Sequence, residues 1–137
     1  MLFPVTAIYA GLLFFVLLVL GYKVGSMRGK TGISINYGDN LELATAMRRH
    51  ANFVENVPLA LILMAIVEAN GAGATFLHAV GIALVLMRIA HPLGLHHDNM
   101  GHPLRLVGAG GTILLLLILA VTALWQALPG LWESSPI

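Results

Sequence analysis

The chain has 137 residues, of which 58% are hydrophobic and 9% charged, and its mean hydropathy is +0.89. Soluble domains carry about 25% charged residues, so this composition predicts an integral membrane protein with a single domain over residues 1–137. The net charge of +1 argues against nucleic acid as a partner, and the absence of cysteine excludes disulfides and protein thiolates.

The first predicted membrane helix covers about residues 2–24. It is apolar over the roughly 20 residues that are needed to cross a hydrocarbon core about 30 Å thick. No basic residue precedes it, whereas three follow closely: Lys23, Arg28 and Lys30. By the positive-inside rule, this predicts an uncleaved helix with its N-terminus outside.

A polar loop is predicted from Gly25 to about Asn40, followed by a second helix over about residues 41–69. Asp39 with Glu42 resembles a capping box, which would place acidic groups at the positive end of this helix. Pro58 lies inside the segment, where neighbouring membrane helices can satisfy the freed carbonyl.

The third and fourth helices are predicted over about residues 74–91 and 103–128. A short turn at residues 70–73 precedes the third helix, and a histidine-rich loop follows it. Trp125 and Trp132 predict an aromatic belt at the outer interface. The predicted fold is therefore an all-α bundle of four membrane helices with both termini outside and both basic loops in the cytoplasm.

Small and polar residues add two packing expectations. Gly108, Gly110 and Gly111 permit close helix packing on the fourth helix. His78, in the middle of the third helix, predicts a packed or hydrogen-bonded core residue.

Polar side chains recur near the basic end of three predicted helices. At the centre of a bilayer a charge costs roughly 2.5–3.5 kcal/mol, so such residues normally mark a functional site. They are Arg48, Asn52 and Glu55 on helix two, Arg88 and His91 on helix three, and Arg105 at the start of helix four. Positions i, i+4 and i+7 share one helix face, and the excess of donors favours an anionic ligand.

A purely structural alternative pairs Glu55 with Arg88 as an interhelical clamp and lets the other arginines reach the lipid headgroups.

This pattern resembles the R-x-x-x-N-x-x-E-x-x-P signature of the MAPEG family, the membrane-associated proteins in eicosanoid and glutathione metabolism. Residues 48–58 carry that signature. Residues 88–91 are similar to the family's R-x-x-H on helix three, and residues 103–105 to its P-x-R at the start of helix four. The resemblance covers nearly the whole chain and is closest to small bacterial members.

The resemblance implies a homotrimer in the bacterial inner membrane that uses glutathione as co-substrate near the cytoplasmic face. The implied activity is that of a glutathione transferase or peroxidase acting on a small hydrophobic electrophile, with membrane lipid as a further partner. Arg105 matches the arginine that stabilises the glutathione thiolate, Glu55 suits the glutamyl amino group and Arg48 a carboxylate. The expected glutathione ligands are Arg48, Asn52, Glu55, Arg88, His91, Arg28 and Asp39, and no metal ligand is expected.

The chain departs from some relatives at three positions, one of which is Ala51, where some members carry a further arginine. Leu95 and Ala109 stand where prostaglandin- and leukotriene-type members carry tyrosines. A tyrosine-assisted thiol is therefore not expected, and neither are the eicosanoid activities.

Three alternatives stay open. A histidine-rich segment could bind zinc or another divalent metal, although its spacing matches no defined motif. Its residues are His91, His96, His97, Asp98 and His102. A small proton-coupled exporter also places a glutamate in the membrane, but three arginines would neutralise that group. A non-catalytic lipid- or glutathione-binding protein could share the fold, and Arg105 is the residue that argues against it.

Overall fold

The computed structural model describes residues 2–133 and the side chains of residues 2–130. These residues form four α-helices and no strand: α1 (Pro4–Thr31), α2 (Leu41–Ala69), α3 (Ala74–Gly94) and α4 (Pro103–Glu133). Each helix is long and apolar enough to cross a membrane. The prediction of an all-α membrane bundle is confirmed.

The first helix is longer than predicted. It continues past residue 24 to Thr31 and ends at Gly32, whose φ of 71° is the left-handed conformation typical of a helix C-cap. The polar loop is therefore confined to residues 32–40. Arg28 shapes this loop, since its Nη1 donates to the carbonyls of Ile33 (2.9 Å) and Asn36 (3.1 Å).

The prediction that Asp39 caps α2 is wrong by one residue. The cap is Asn40, whose Oδ1 accepts a hydrogen bond from the backbone N–H of Leu43 at 2.8 Å. Asn and Asp serve equally well as N-caps, so the two adjacent residues could not be distinguished by residue type. The helix then runs without interruption through Pro58.

The last two helices also extend beyond their predicted ends. Helix α3 passes through Pro92 and stops at Gly94, and α4 passes through Pro129 and reaches Glu133, the last residue that the structure describes. Trp125 is 75% exposed near the end of α4, as an interfacial aromatic residue would be. The side chain of Trp132 lies outside the described residues.

Helices α3 and α4 approach each other closely at glycines. A Cβ atom at Gly108 would overlap the backbone of His91, and one at Gly94 would overlap the backbone of Arg105. Gly111 lies against Met87, whereas Gly110 faces open space. The expected close packing is thus confirmed for Gly108 and Gly111 within the chain, and Gly110 takes no part in it.

Polar contacts at the end of the bundle opposite the basic residues fix α1 antiparallel to α2. The Glu68 carboxylate accepts from the backbone N–H groups of Val5 and Thr6, both at 2.8 Å, and so caps the N-terminus of α1. The Tyr9 hydroxyl lies 2.8 Å from Nδ1 of His78 on α3. His78 is therefore hydrogen-bonded, as predicted, but it is half-buried and lies at the fifth residue of α3 and not in the middle of the helix. The alternating helix directions bring all seven lysines and arginines toward the other end of the bundle, which we call the basic end.

Candidate functional site

A cavity of about 460 Å³ lies at the basic end, between α2, the end of α3 and the start of α4. Its volume is in the range of pockets that bind small molecules, about 300–1,000 Å³. Four of the residues predicted to form a site line it: Arg48, Asn52, His91 and Arg105. Three helices thus converge on one cavity, as the sequence predicts.

Arg48 and Glu55 form an ion pair on one face of α2. The distance from Nη1 to Oε1 is 3.0 Å, and the two side chains are 60% and 52% exposed. Residues seven apart lie two helical turns from each other on the same side of the helix. Glu55 does not line the cavity itself but is joined to it through Arg48. The alternative of an ion pair between Glu55 and Arg88 is therefore wrong.

Arg88 is almost fully buried behind the cavity, with 2% of its surface exposed. Its Nη1 donates to Oδ1 of Asn52 at 2.9 Å, and its Nη2 donates to the carbonyl of Gly108 at 2.7 Å. Its Nε has no hydrogen-bond partner, and Arg88 forms no ion pair within the described part of the chain. A guanidinium that is buried without a carboxylate leaves positive potential around it, and this favours an anion in the adjacent cavity.

Arg88 also determines which way the Asn52 amide points. Because Oδ1 of Asn52 accepts from the guanidinium, the NH₂ group of the amide stays available to a ligand acceptor. Arg88 therefore contacts α2 and α4 directly, and it influences the cavity by orienting the amide of Asn52.

Arg105 occupies the third position of α4, where the helix dipole adds positive potential. Its backbone N–H donates to the carbonyl of His102 at 3.0 Å, and Gly94 lies directly against its backbone. The end of α3 therefore fixes the position from which this side chain enters the cavity. Leu95, which stands where some relatives carry tyrosine, also lines the cavity and is 7% exposed.

Two of the predicted ligands lie apart from this cavity. Arg28 is bound to the carbonyls of the first loop, and Asp39 is exposed in that loop next to the cap of α2. Neither lines the cavity within one chain. The contacts of these two residues with glutathione stay predictions, as do those of the residues that line the cavity.

Arg49 is a residue whose role the sequence did not reveal. Its Nε and Nη2 donate to the carbonyl of Leu95 at 3.0 and 2.7 Å, so it binds α2 to the C-terminal end of α3. Neighbouring residues on a helix point about 100° apart, and Arg49 therefore serves a different surface from Arg48. The sequence shows two adjacent arginines, Arg48 and Arg49, but it does not show that only Arg48 lines the cavity.

The histidine-rich loop does not form a metal centre among the described residues. No group of three or more His, Asp or Glu side chains there is arranged to hold a metal ion. The His96 ring lies 3.1 Å from the carbonyl of Leu93 and is tilted by 52° against the His102 ring, with ring centroids 5.6 Å apart.

Comparison with known proteins places the chain in a family. The sequence model of the MAPEG family matches residues 6–125. The inner membrane protein YecN of Escherichia coli is 34% identical over 121 residues, which are 88% of this chain and 91% of YecN. The protein of the same name from a second Escherichia coli strain matches to the same extent. No solved structure matches the chain.

Proposed function

The chain belongs to the MAPEG family, and on that basis we propose that it is a glutathione-dependent transferase or peroxidase of the inner membrane. Its substrates are small hydrophobic electrophiles that reach the site from the bilayer. The observation that carries the proposal is the cavity in which Arg48, Asn52, His91 and Arg105 meet.

The charges around the cavity suit glutathione, which has two carboxylates, one ammonium group and a thiol. Arg48 offers a guanidinium to a carboxylate, and Glu55, held 3.0 Å from it, offers a carboxylate to the ammonium group. Asn52 offers its amide NH₂ to a peptide carbonyl, and the buried charge of Arg88 adds attraction for the net negative tripeptide.

Arg105 is the catalytic residue of this proposal. A thiol with a pKa near 8.5 is mostly protonated at neutral pH, and a nearby guanidinium stabilises the thiolate. The thiolate sulfur then donates an electron pair to the electrophilic carbon, and the leaving group departs with the pair from its broken bond. With Leu95 lining the cavity in place of a tyrosine, the thiolate depends on Arg105 for its stabilisation.

The proposed assembly is a homotrimer with glutathione at the subunit interfaces and the basic end in the cytoplasm. The exposure of Arg48 and Glu55 in the single chain leaves this face available to a neighbouring subunit. The cytoplasm is the compartment in which thiols are kept reduced, so a cytoplasmic site gives access to glutathione.

Binding of glutathione to the purified protein in detergent, measured by calorimetry, tests the ligand. Arg48→Ala and Glu55→Gln should each weaken binding about 10- to 100-fold, because hydrogen bonds to charged groups contribute about 1.5–3 kcal/mol. Glu42→Gln is the matched control, since Glu42 is another exposed glutamate of α2 that does not line the cavity. Unchanged affinity in both site variants would exclude this face of α2 as the glutathione site.

A further inference from the structure

A second, largely apolar groove of about 560 Å³ lies between α1 and α3 on another side of the bundle. Its walls include Phe15, Val19 and Leu93, which are 64%, 57% and 59% exposed. Of the residues that line the candidate cavity between α2, α3 and α4, only His96 also lines this groove. The groove is thus a separate feature of the molecule.

The groove is apolar along the helices and cationic at its basic end. Lys23 and Arg49 line it together with His96, and no acidic residue does. Phe15 and Lys23 are eight residues apart on α1, which corresponds to about 12 Å along the helix axis. An occupant therefore needs a hydrocarbon part of at least this length and an anionic group at one end.

The cationic end of the groove opens into a polar cavity of about 500 Å³. The two share Lys23, Arg49 and His96, and the polar cavity adds Ser26 and Lys30. Glu42 and Asp98 also line the polar cavity, where they are outnumbered by the three basic residues. Among the described residues Lys23 makes no hydrogen bond or ion pair, so its ammonium group is available to a ligand.

From this continuity we propose that the groove between α1 and α3 is a binding site for one anionic phospholipid. An acyl chain lies along Phe15, Val19 and Leu93, and the phosphate lies between Lys23 and Arg49. A hydrated headgroup fits the polar cavity, which a fatty acid would leave empty. A basic residue near an anionic lipid surface contributes about 1 kcal/mol of attraction, which corresponds to about a fivefold change in affinity.

Native mass spectrometry in detergent without glutathione tests this proposal. The protein is titrated with phosphatidylglycerol or phosphatidylcholine of identical acyl chains. The wild-type protein should bind one phosphatidylglycerol about fivefold more tightly than phosphatidylcholine. Lys23→Gln should abolish this preference, and Val19→Trp, which fills the groove, should weaken binding of both lipids.

Two control variants separate a specific site from general attraction. Arg105→Gln removes one positive charge at the basic end, at a residue that does not line the groove. Leu86→Trp adds an indole at an exposed position of α3 that lies outside the groove. Both should bind phosphatidylglycerol as the wild type does. Equal losses in Lys23→Gln and Arg105→Gln would overturn the proposal, because the attraction would then be non-specific.

Two further results would overturn the phospholipid assignment. Palmitate that binds to the groove more tightly than phosphatidylglycerol would make the occupant a fatty acid. The wild-type protein could instead form an oligomer that binds no lipid and that dissociates when Val19 is replaced by Trp. The groove would then be an interface between copies of the chain.

Discussion

At the scale of single residues, the buried arginine of α3 connects the core to the cavity. Arg88 reaches Asn52 on α2 and the Gly108 carbonyl on α4 with two different nitrogen atoms. A planar guanidinium can hold two acceptors at fixed separation, whereas a lysine ammonium is a single point charge. The shape of this side chain matters here in addition to its charge.

Arg88→Lys should therefore destabilise the protein although it conserves the charge. The Gly108 carbonyl keeps a donor in Oγ1 of Thr112 at 2.7 Å, whereas Oδ1 of Asn52 loses its donor, and a buried acceptor left unsatisfied costs about 1–3 kcal/mol. We expect a melting temperature in detergent several degrees below that of the wild type. Arg48→Lys, at a side chain that is 60% exposed, should change it little. Equal melting temperatures for the two variants would contradict this role of Arg88.

At the scale of helices, the contact between α3 and α4 positions Arg105. Gly94 lies against the backbone of Arg105, and Gly108 lies against the backbone of His91. The two cavity residues are thus held by backbone packing where the helices nearly touch. A side chain added at this contact would have to push the helices apart.

A pair of alanine substitutions on α4 tests this contact. Gly→Ala inside a helix normally stabilises it by about 0.5–1 kcal/mol, and Gly110→Ala should show this gain because its Cβ would meet no atom within 4 Å. Gly108→Ala should instead destabilise by about 1–3 kcal/mol, because the Cβ overlaps the backbone of α3. Thermal unfolding in detergent measures both. A similar stabilisation in the two variants would show that the helices are not in close contact at Gly108.

The sequence predicted the four helices and both ends of α2, but it placed the C-terminal ends of α1, α3 and α4 too early. Apolar segments of about 20 residues identify membrane helices because the bilayer sets their length. The ends lie in polar sequence, where Gly25 and Gly29 suggest a loop although the helix continues to Gly32. Local capping contacts such as Asn40 with Leu43 decide these ends, and residue type alone does not distinguish Asn40 from Asp39.

The candidate site was predictable where the residues share a helix face, and less so where contacts join distant parts of the chain. The spacing of Arg48, Asn52 and Glu55 places them together, as observed. The structural alternative paired Arg88 with Glu55, whereas Arg88 donates to Asn52 and to the carbonyl of Gly108. The contact from Arg49 to the carbonyl of Leu95, 46 positions away, left no signal in the sequence.

At the scale of the whole molecule, the basic residues predict the orientation in the membrane. All seven lie toward one end of the bundle, and the positive-inside rule places that end in the cytoplasm.

A reporter enzyme that is active only outside the cytoplasm should be active when fused after Ile137 or inserted at Ala72. It should be inactive when inserted at Ser34, in the loop between α1 and α2. Activity at Ser34 without activity at Ala72 would reverse the orientation and remove the proposed access to cytoplasmic glutathione.

The proposed role of Arg105 is to stabilise the thiolate of bound glutathione, whose thiol proton passes to water. This role is tested most directly by the ultraviolet absorbance of the bound glutathione thiolate, measured across pH. The titration is done with the wild type, Arg105→Lys and Arg105→Ala. The transferase rates of the three proteins on a hydrophobic aryl halide are measured alongside. The wild type should form the thiolate below pH 8.5, where the free thiol is mostly protonated. Arg105→Ala should retain binding but titrate at higher pH and lose turnover, with Arg105→Lys between the two. Each pH unit of this displacement corresponds to about 1.4 kcal/mol of thiolate stabilisation. Identical titrations and rates in wild type and Arg105→Ala would contradict the account, as would a wild type that binds glutathione without forming a thiolate.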